Sequence, residues 1–95
     1  LELWPADRTA RLGRANNLYG LGQQDAALAA YDAVLAVAPG DPVALHNRAM
    51  VALESAGPCA ALAGLPDARD DEPALVAAAR AAALAHPDAA ACATR

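Results

Sequence analysis

Residues 8–41, RTARLGRANNLYGLGQQDAALAAYDAVLAVAPGD, predict a hairpin of two helices. We expect Asp7 to cap the first helix, which runs to about Leu21. Gly22 then ends it, since glycine readily adopts the left-handed conformation that closes helices. A second helix is expected over residues 24–37, where apolar side chains recur at helical spacing. Its apolar face consists of Ala27, Leu28, Tyr31, Val34 and Leu35. Two helices of this kind bury their apolar faces against each other, so the stretch indicates an antiparallel hairpin.

The hairpin pattern returns along the chain at a spacing of 34 residues. The matches at this spacing include Pro5 with Pro39 and Pro73, Leu1 with Leu35, Asp7 with Asp41, Arg14 with Arg48, and the AALA runs at 26–29 and 60–63. A repeat of this length is typical of helix–turn–helix solenoids, in which each hairpin packs on the next. We therefore predict an all-α stack of helical hairpins.

The second repeat begins regularly and ends irregularly. Asp41 is expected to cap its first helix, because aspartate accepts hydrogen bonds from the free N–H groups there. The second helix, starting at Pro58, is expected to stop near Leu65, since Pro66 inside it would cost about 3 kcal/mol or more. A loop is then expected over residues 66–72.

A last helix is expected over residues 73–86, with Asp71 as its cap. Alternatively, residues 73–86 are the true second helix of the repeat and residues 58–72 are an insertion. The second interpretation depends on the match between LAHP at 84–87 and AVAP at 36–39. Both interpretations give an all-α chain with an irregular C-terminal cap.

The composition agrees with closely packed helices and a thin core. The chain has 95 residues, 57% of them hydrophobic, but 30 are alanine and none is phenylalanine. Alanine favours helices and buries little apolar area. This composition argues against a β-sandwich or barrel, which needs β-branched and aromatic residues, and against a deep enzyme pocket.

The charge pattern excludes further classes of protein. The net charge is −4, and the basic residues are seven scattered arginines with no lysine. We therefore expect no nucleic acid among its partners, because nucleic-acid-binding proteins carry a clustered basic surface. No uncharged apolar run approaches the roughly 18 residues of a spanning helix, so we expect no membrane insertion. The chain begins without methionine and shows no signal segment, so we expect the natural start to lie upstream. The location stays open between the bacterial cytoplasm and an exported protein.

The chain resembles the tetratricopeptide repeat (TPR) family, clearly over residues 1–57 and more weakly after that. The positions that carry the resemblance are Ala15, Leu18, Gly22, Ala27, Tyr31, Val34 and Pro39. Arg11 and Arg14 depart from the residues usual in the family, and Val34, although at the family's small-residue position, replaces the usual alanine. The resemblance implies that residues 1–7 end a preceding repeat, 8–41 form one repeat, 42–72 form a second, and 73–95 form a capping helix and tail.

In TPR proteins the first helices of successive repeats line a concave groove. The resemblance implies that this groove is formed here by Leu12, Asn16, Tyr19, His46, Asn47, Met50 and Leu53. Asparagine side chains can both donate to and accept from the backbone of an extended peptide. The alternative is that this surface packs against neighbouring repeats or another domain of the same chain.

Some TPR domains hold a C-terminal carboxylate with two asparagines and three basic residues. Asn16 and Asn47 match the two asparagine positions, but Leu12, Ala77 and Ala81 occupy the basic ones. A carboxylate would be poorly neutralised without those cations. We therefore reject this clamp and expect a different, more apolar ligand.

Cys59 and Cys92 are the only thiols. A disulfide between them and two free cysteines are both open. We expect no metal site, since neither cysteine has the close ligand pairs of a zinc site. The acidic loop at 67–72 lacks the alternating ligands and glycine of a calcium loop. No nucleophile with a partner base is visible, so we expect no enzyme activity and no cofactor.

The leading functional hypothesis is a protein-interaction module that presents its groove to a peptide segment or partner domain. The alternative is the non-catalytic tail of a multidomain bacterial enzyme, because residues 11–49 loosely resemble TPR segments that follow exported papain-like cysteine peptidase domains. An upstream signal peptide and Cys/His catalytic pair would favour the alternative. A purely structural spacer is the third hypothesis.

Overall fold

The computed structural model describes residues 4–93 and shows an all-α chain, with no strand in that range. The helices are α1 (Trp4–Gly20), α2 (Gln24–Val37), α3 (Pro42–Ala56), α4 (Pro58–Ala63), α5 (Ala74–Leu84) and α6 (Ala90–Ala93), with a 3-10 turn at Pro87–Ala89. Within these residues no helix combines the length and the apolar character needed to cross a lipid bilayer.

The first hairpin forms as the local pattern predicts, except at its start. Gly22 has a φ of +80° and lies in the turn between α1 and α2. The helix predicted over 24–37 is confirmed as α2, which buries Ala27, Tyr31 and Val34. The expected cap at Asp7 is wrong, because α1 already begins at Trp4 and continues through Asp7. Pro5 can be accommodated there, since the first turn of a helix does not use its backbone N–H groups.

This helix start also bears on the predicted boundary after residue 7. Residues 4–7 continue α1 instead of ending a separate element before it. Residues 1–3 of the proposed preceding repeat lie outside the described residues, as do residues 94 and 95 of the proposed tail.

The start of α3 is capped as predicted. Asp41 Oδ1 accepts from the backbone N–H groups of Val43 at 3.0 Å and Ala44 at 3.2 Å. Pro42 occupies the first turn, where no N–H is needed. The structure adds a partner that the local pattern did not show, because the Arg8 guanidinium donates to both carboxylate oxygens of Asp41. Asp41 thus ties the start of α1 to the start of α3.

The helix after Pro58 ends early, as predicted. α4 ends at Ala63, before Pro66, and residues 64–73 form a connection without a regular helix. The last helix is shorter than predicted, and the expected cap at Asp71 is wrong, because Pro73 is the capping residue and makes no side-chain cap bond.

Both α4 and α5 pack on α3, so the choice between the two alternative alignments stays open. Val76, Ala79 and Ala83 of α5 share one buried cluster with residues of α3 and with the α4 segment. The members from α3 are Leu45, Ala49 and Ala52. Ala61 of α4 and Leu65, just after α4, complete the cluster. Small side chains at most of these contacts allow the helix axes to approach closely. The alanine-rich composition is therefore used in helix packing.

Two arginines connect elements of the fold through charged hydrogen bonds. Arg48 Nε lies 2.5 Å from Asp32 Oδ1, which links α3 to α2. Arg80 Nη2 donates to Glu72 Oε1 at 2.9 Å and to the Pro66 carbonyl at 2.6 Å, which holds the 66–73 loop against α5. The hydrogen bond from Arg80 lowers the pKa of Glu72.

The pairing of the two cysteines was left open by the sequence, and the structure joins them in a disulfide. Cys59 Sγ and Cys92 Sγ are 2.09 Å apart. Cys59 lies in α4 and Cys92 in α6, so the bond holds the end of the described chain against α4. His86 caps the intervening 3-10 turn, because its Nδ1 accepts from the Asp88 backbone N–H at 3.1 Å.

Candidate functional site

A groove of about 330 Å³ opens between α1 and α3. Its lining combines side chains of three helices: Asn16 and Tyr19 of α1, Tyr31 of α2, and Asn47, Met50 and Val51 of α3. None of these side chains is charged. The α1 and α3 helices run in the same direction past the groove, because Asn16 meets Asn47 while Tyr19, further along α1, meets Glu54, further along α3. The asparagine and tyrosine side chains make part of the groove wall polar, and Met50 and Val51 make the rest of it apolar.

Hydrogen bonds between helices organise the Asn16 end of the groove. Asn16 Oδ1 accepts from the Tyr31 hydroxyl and from Asn47 Nδ2, which is 3.4 Å away. Asn47 Oδ1 lies 3.1 Å from His46 Nδ1. Asn16 is exposed, and within residues 4–93 its amide Nδ2 donates to no described acceptor. The side chain is therefore held in place with a donor still available.

The Tyr31 hydroxyl remains a neutral donor at neutral pH. Burial raises the pKa of Tyr31, because the phenolate would lose its hydration. The residue is only 2% exposed, so its ring belongs to the packed interior while its oxygen reaches the groove. This partly buried bond holds the side chain of Asn16 on the neighbouring helix.

Glu54 lies at the other end of the groove. Its Oε1 accepts from the Tyr19 hydroxyl at 2.6 Å and from Gln24 Nε2 at 2.9 Å. The bond to Glu54 raises the pKa of Tyr19, because the hydroxyl proton is shared with a carboxylate. Tyr19 thereby bridges the groove wall and an exposed carboxylate.

The structure brings together four of the seven residues expected on the groove: Asn16, Tyr19, Asn47 and Met50. His46 is half-buried beside Asn47 and supports it from outside the groove. Leu53 is half-buried and packs against the cluster between α3 and α5.

Leu12 departs from the expected surface. It is 7% exposed and belongs to a buried cluster with Ala15, Tyr31 and Val34. Residues three apart on a helix share a face, so Leu12 follows Ala15 into the interior between α1 and α2. We correct its assignment from the ligand surface to the core.

Four residues of the groove and its rim were not among the expected ones: Gln24, Tyr31, Val51 and Glu54. The residue type of Tyr31 is itself a signal for a buried hydrogen bond. A tyrosine at a core position has a hydroxyl that needs a hydrogen-bond partner, which phenylalanine would not. Glu54 carried no such signal, because an exposed glutamate on a helix is common.

A second cavity of about 380 Å³ lies between the α2–α3 turn and the 66–73 loop. Leu45 and Val76 form its apolar base, and Arg69 and Glu72 lie at its edge. Glu72 is already held by Arg80.

Throughout residues 4–93, no group of three or more His, Cys, Asp or Glu side chains is placed to hold a metal ion.

The described residues thus form an all-α protein with an uncharged surface groove whose rim carries the carboxylate of Glu54. No protein-family model, no curated protein and no solved structure matches this chain.

Proposed function

We propose that this chain is a TPR-like helical scaffold whose α1–α3 groove binds an extended segment of a partner protein. The observation that carries the proposal is the Asn16–Asn47 pair, which bridges two helices that are one repeat apart. The parallel course of α1 and α3 and the spacing of 34 residues between matching positions support a stacked-hairpin arrangement.

The groove supplies the two interactions that a backbone-recognising surface needs. Asn16 Nδ2 is free to donate to a peptide carbonyl, and the amide is held in place by Tyr31 and Asn47. Met50 and Val51 supply apolar surface next to it. A thioether is flexible and adapts to different side chains. In this mechanism the amide orients the bound segment and apolar burial contributes most of the affinity.

The test uses an array of nine-residue peptides with acetylated and amidated ends, probed with the labelled protein. We expect the wild type to bind a subset of peptides. Replacing Asn16 and Met50 together by alanine should weaken binding of that subset about tenfold or more, because it removes one hydrogen bond and one apolar contact. Far-ultraviolet circular dichroism should show unchanged helicity.

Asn17→Ala is the matched control. Asn17 is an exposed asparagine of α1 outside the groove lining, so its loss should leave peptide binding as in the wild type. Equal binding by the wild type and the Asn16/Met50 double variant would show that the groove is not the binding surface. An array without any bound peptide would contradict the proposed function itself.

A further inference from the structure

Glu54 occupies a distinct position at the end of the groove. It follows Met50 and Val51 by about one helical turn, so it lies just beyond the groove lining on α3. The Tyr19 hydroxyl and Gln24 Nε2 both donate to the same oxygen, Oε1. Two donors from two other helices fix the carboxylate in direction, although it is exposed to solvent.

Glu54 differs from the carboxylates that hold the fold together. Asp41 pairs with Arg8, Asp32 with Arg48, and Glu72 with Arg80. The partners of Glu54 are both neutral, and within residues 4–93 no basic side chain forms an ion pair with it. Asp70, in the loop between α4 and α5, is also exposed and makes no ion pair with a described basic residue, but it does not line the groove. Glu54 is thus an oriented negative charge without a counterion beside an uncharged groove.

This arrangement restricts what the groove can bind. A segment that covered Glu54 with apolar atoms would remove a charge from water without compensation, which is costly. A segment with an ammonium or guanidinium group at that point gains an ion pair instead. Tyr19 adds to this preference, because it lines the groove, is 40% exposed, and an aromatic ring attracts cations. The net charge of −4 also favours the approach of a basic segment.

Building on the proposed function, we propose that the groove selects extended peptide segments that carry a lysine or arginine, whose cationic group pairs with Glu54 beside Tyr19. Glu54 is the specificity-determining residue, and Asn16 and Met50 hold the rest of the segment. The preference is for a cation within the segment, in contrast to the anionic chain terminus that a basic clamp would hold.

The experiment starts from the strongest-binding peptide of the capped nine-residue array. We expect it to carry lysine or arginine at one position that recurs among the bound peptides. Replacing that residue by norleucine, which keeps the chain and removes the charge, should weaken binding to the wild type about fivefold to tenfold in a fluorescence-polarisation titration. Raising the salt concentration should reduce this difference, because the pair is exposed.

Glu54→Gln is the decisive variant, since its amide oxygen still accepts from Tyr19 while the charge is gone. It should lose most of the preference for the cationic over the norleucine peptide, so that only the weaker attraction of the Tyr19 ring for cations remains. Asp70→Asn removes the same charge from the loop and should keep the wild-type preference. If peptides bind the wild type through Asn16 and Met50 but Glu54→Gln keeps the preference for a cation, the Glu54 assignment is wrong and the proposed function stands. If no peptide binds, both are overturned.

Discussion

Single side chains in this protein serve two helices at once, and Asp41 is the best example. Its carboxylate caps α3 and also accepts from Arg8 at the start of α1. The side chain is only 4% exposed, so its negative charge depends on these partners. The hydrogen bond from Arg8 is the main cause that lowers the pKa of Asp41, and the cap bonds add to it.

Two substitutions of Asp41 should separate the cap from the ion pair. Asp41→Asn keeps a good cap but loses the charge, whereas Asp41→Ala loses both and should be about 1 kcal/mol less stable than Asp41→Asn. Because the native pKa is lowered, the charged form contributes stability that is complete above the unfolded-state pKa of about 3.9. That contribution disappears as the pH falls towards the native pKa.

The measurement for Asp41 is the free energy of unfolding from urea titrations at pH 7 and pH 3. The loss caused by Asp41→Asn should be larger at pH 7 than at pH 3. A loss that is equal at both values would show that the Arg8 pair does not stabilise the folded state. Glu72 also has a lowered pKa, so the comparison must be made against the wild type at each pH.

Helix boundaries are set by turn residues whose effect is local. Gly57 separates α3 from α4 with a φ of +100° and a ψ of 178°. This backbone region is almost exclusive to glycine. Its N–H group closes α3 by donating to the carbonyls of Ala52 and Leu53. Pro58 then starts α4 in a new direction, which brings Cys59 to the position where it meets Cys92.

Replacing Gly57 by alanine tests this boundary. An added Cβ would meet no atom within 4 Å, so the cost comes from the backbone conformation and not from a clash. We expect Gly57→Ala to lower the free energy of unfolding by about 1–3 kcal/mol. Gly40→Ala is the matched control, because Gly40 also has open space around it and no positive φ. A variant Gly57→Ala as stable as Gly40→Ala would contradict the role of the backbone conformation.

At the scale of the whole molecule, two buried clusters meet at α3. One contains Leu12, Tyr31 and Val51 and lies between the first hairpin and α3. The other contains Leu45, Val76 and Ala83 and lies between α3 and the C-terminal helices. Many members of both clusters are alanines, so each contact contributes little apolar area. A thin core of this kind gains much from a covalent link.

The disulfide should therefore contribute a large part of the stability. Cys59 and Cys92 are 33 residues apart in sequence, and closing a loop of that length stabilises a fold by about 3–4 kcal/mol in the chain-entropy model. A thiol reductant should lower the free energy of unfolding by a comparable amount. The variant with both cysteines replaced by serine should match the reduced wild type and be insensitive to the reductant. Reduction without any change in unfolding would show that the bond is not a stabilising element.

The helical class and most of the turns could be predicted, because their signals act within one or two turns of the chain. The α2 helix, the Asp41 cap and the early end of α4 before Pro66 depend on neighbouring residues alone. The start of α1 was predicted incorrectly, since Asp7 and Asp41 are the same residue type at matching positions. Only Asp41 caps the start of a helix, so the residue type at this position did not distinguish the two aspartates.

The sequence by itself determined an all-α chain, the first helical hairpin and the placement of Asn16 and Asn47 on two different helices. Only the tertiary structure decided that Leu12 is buried, that the Tyr31 hydroxyl reaches Asn16, and that Glu54 lies beside Tyr19 without a counterion. Helix propensity and capping are local and can be seen in a single chain segment. Burial and hydrogen bonding between helices depend on how segments about 30 residues apart approach each other, which side-chain packing sets.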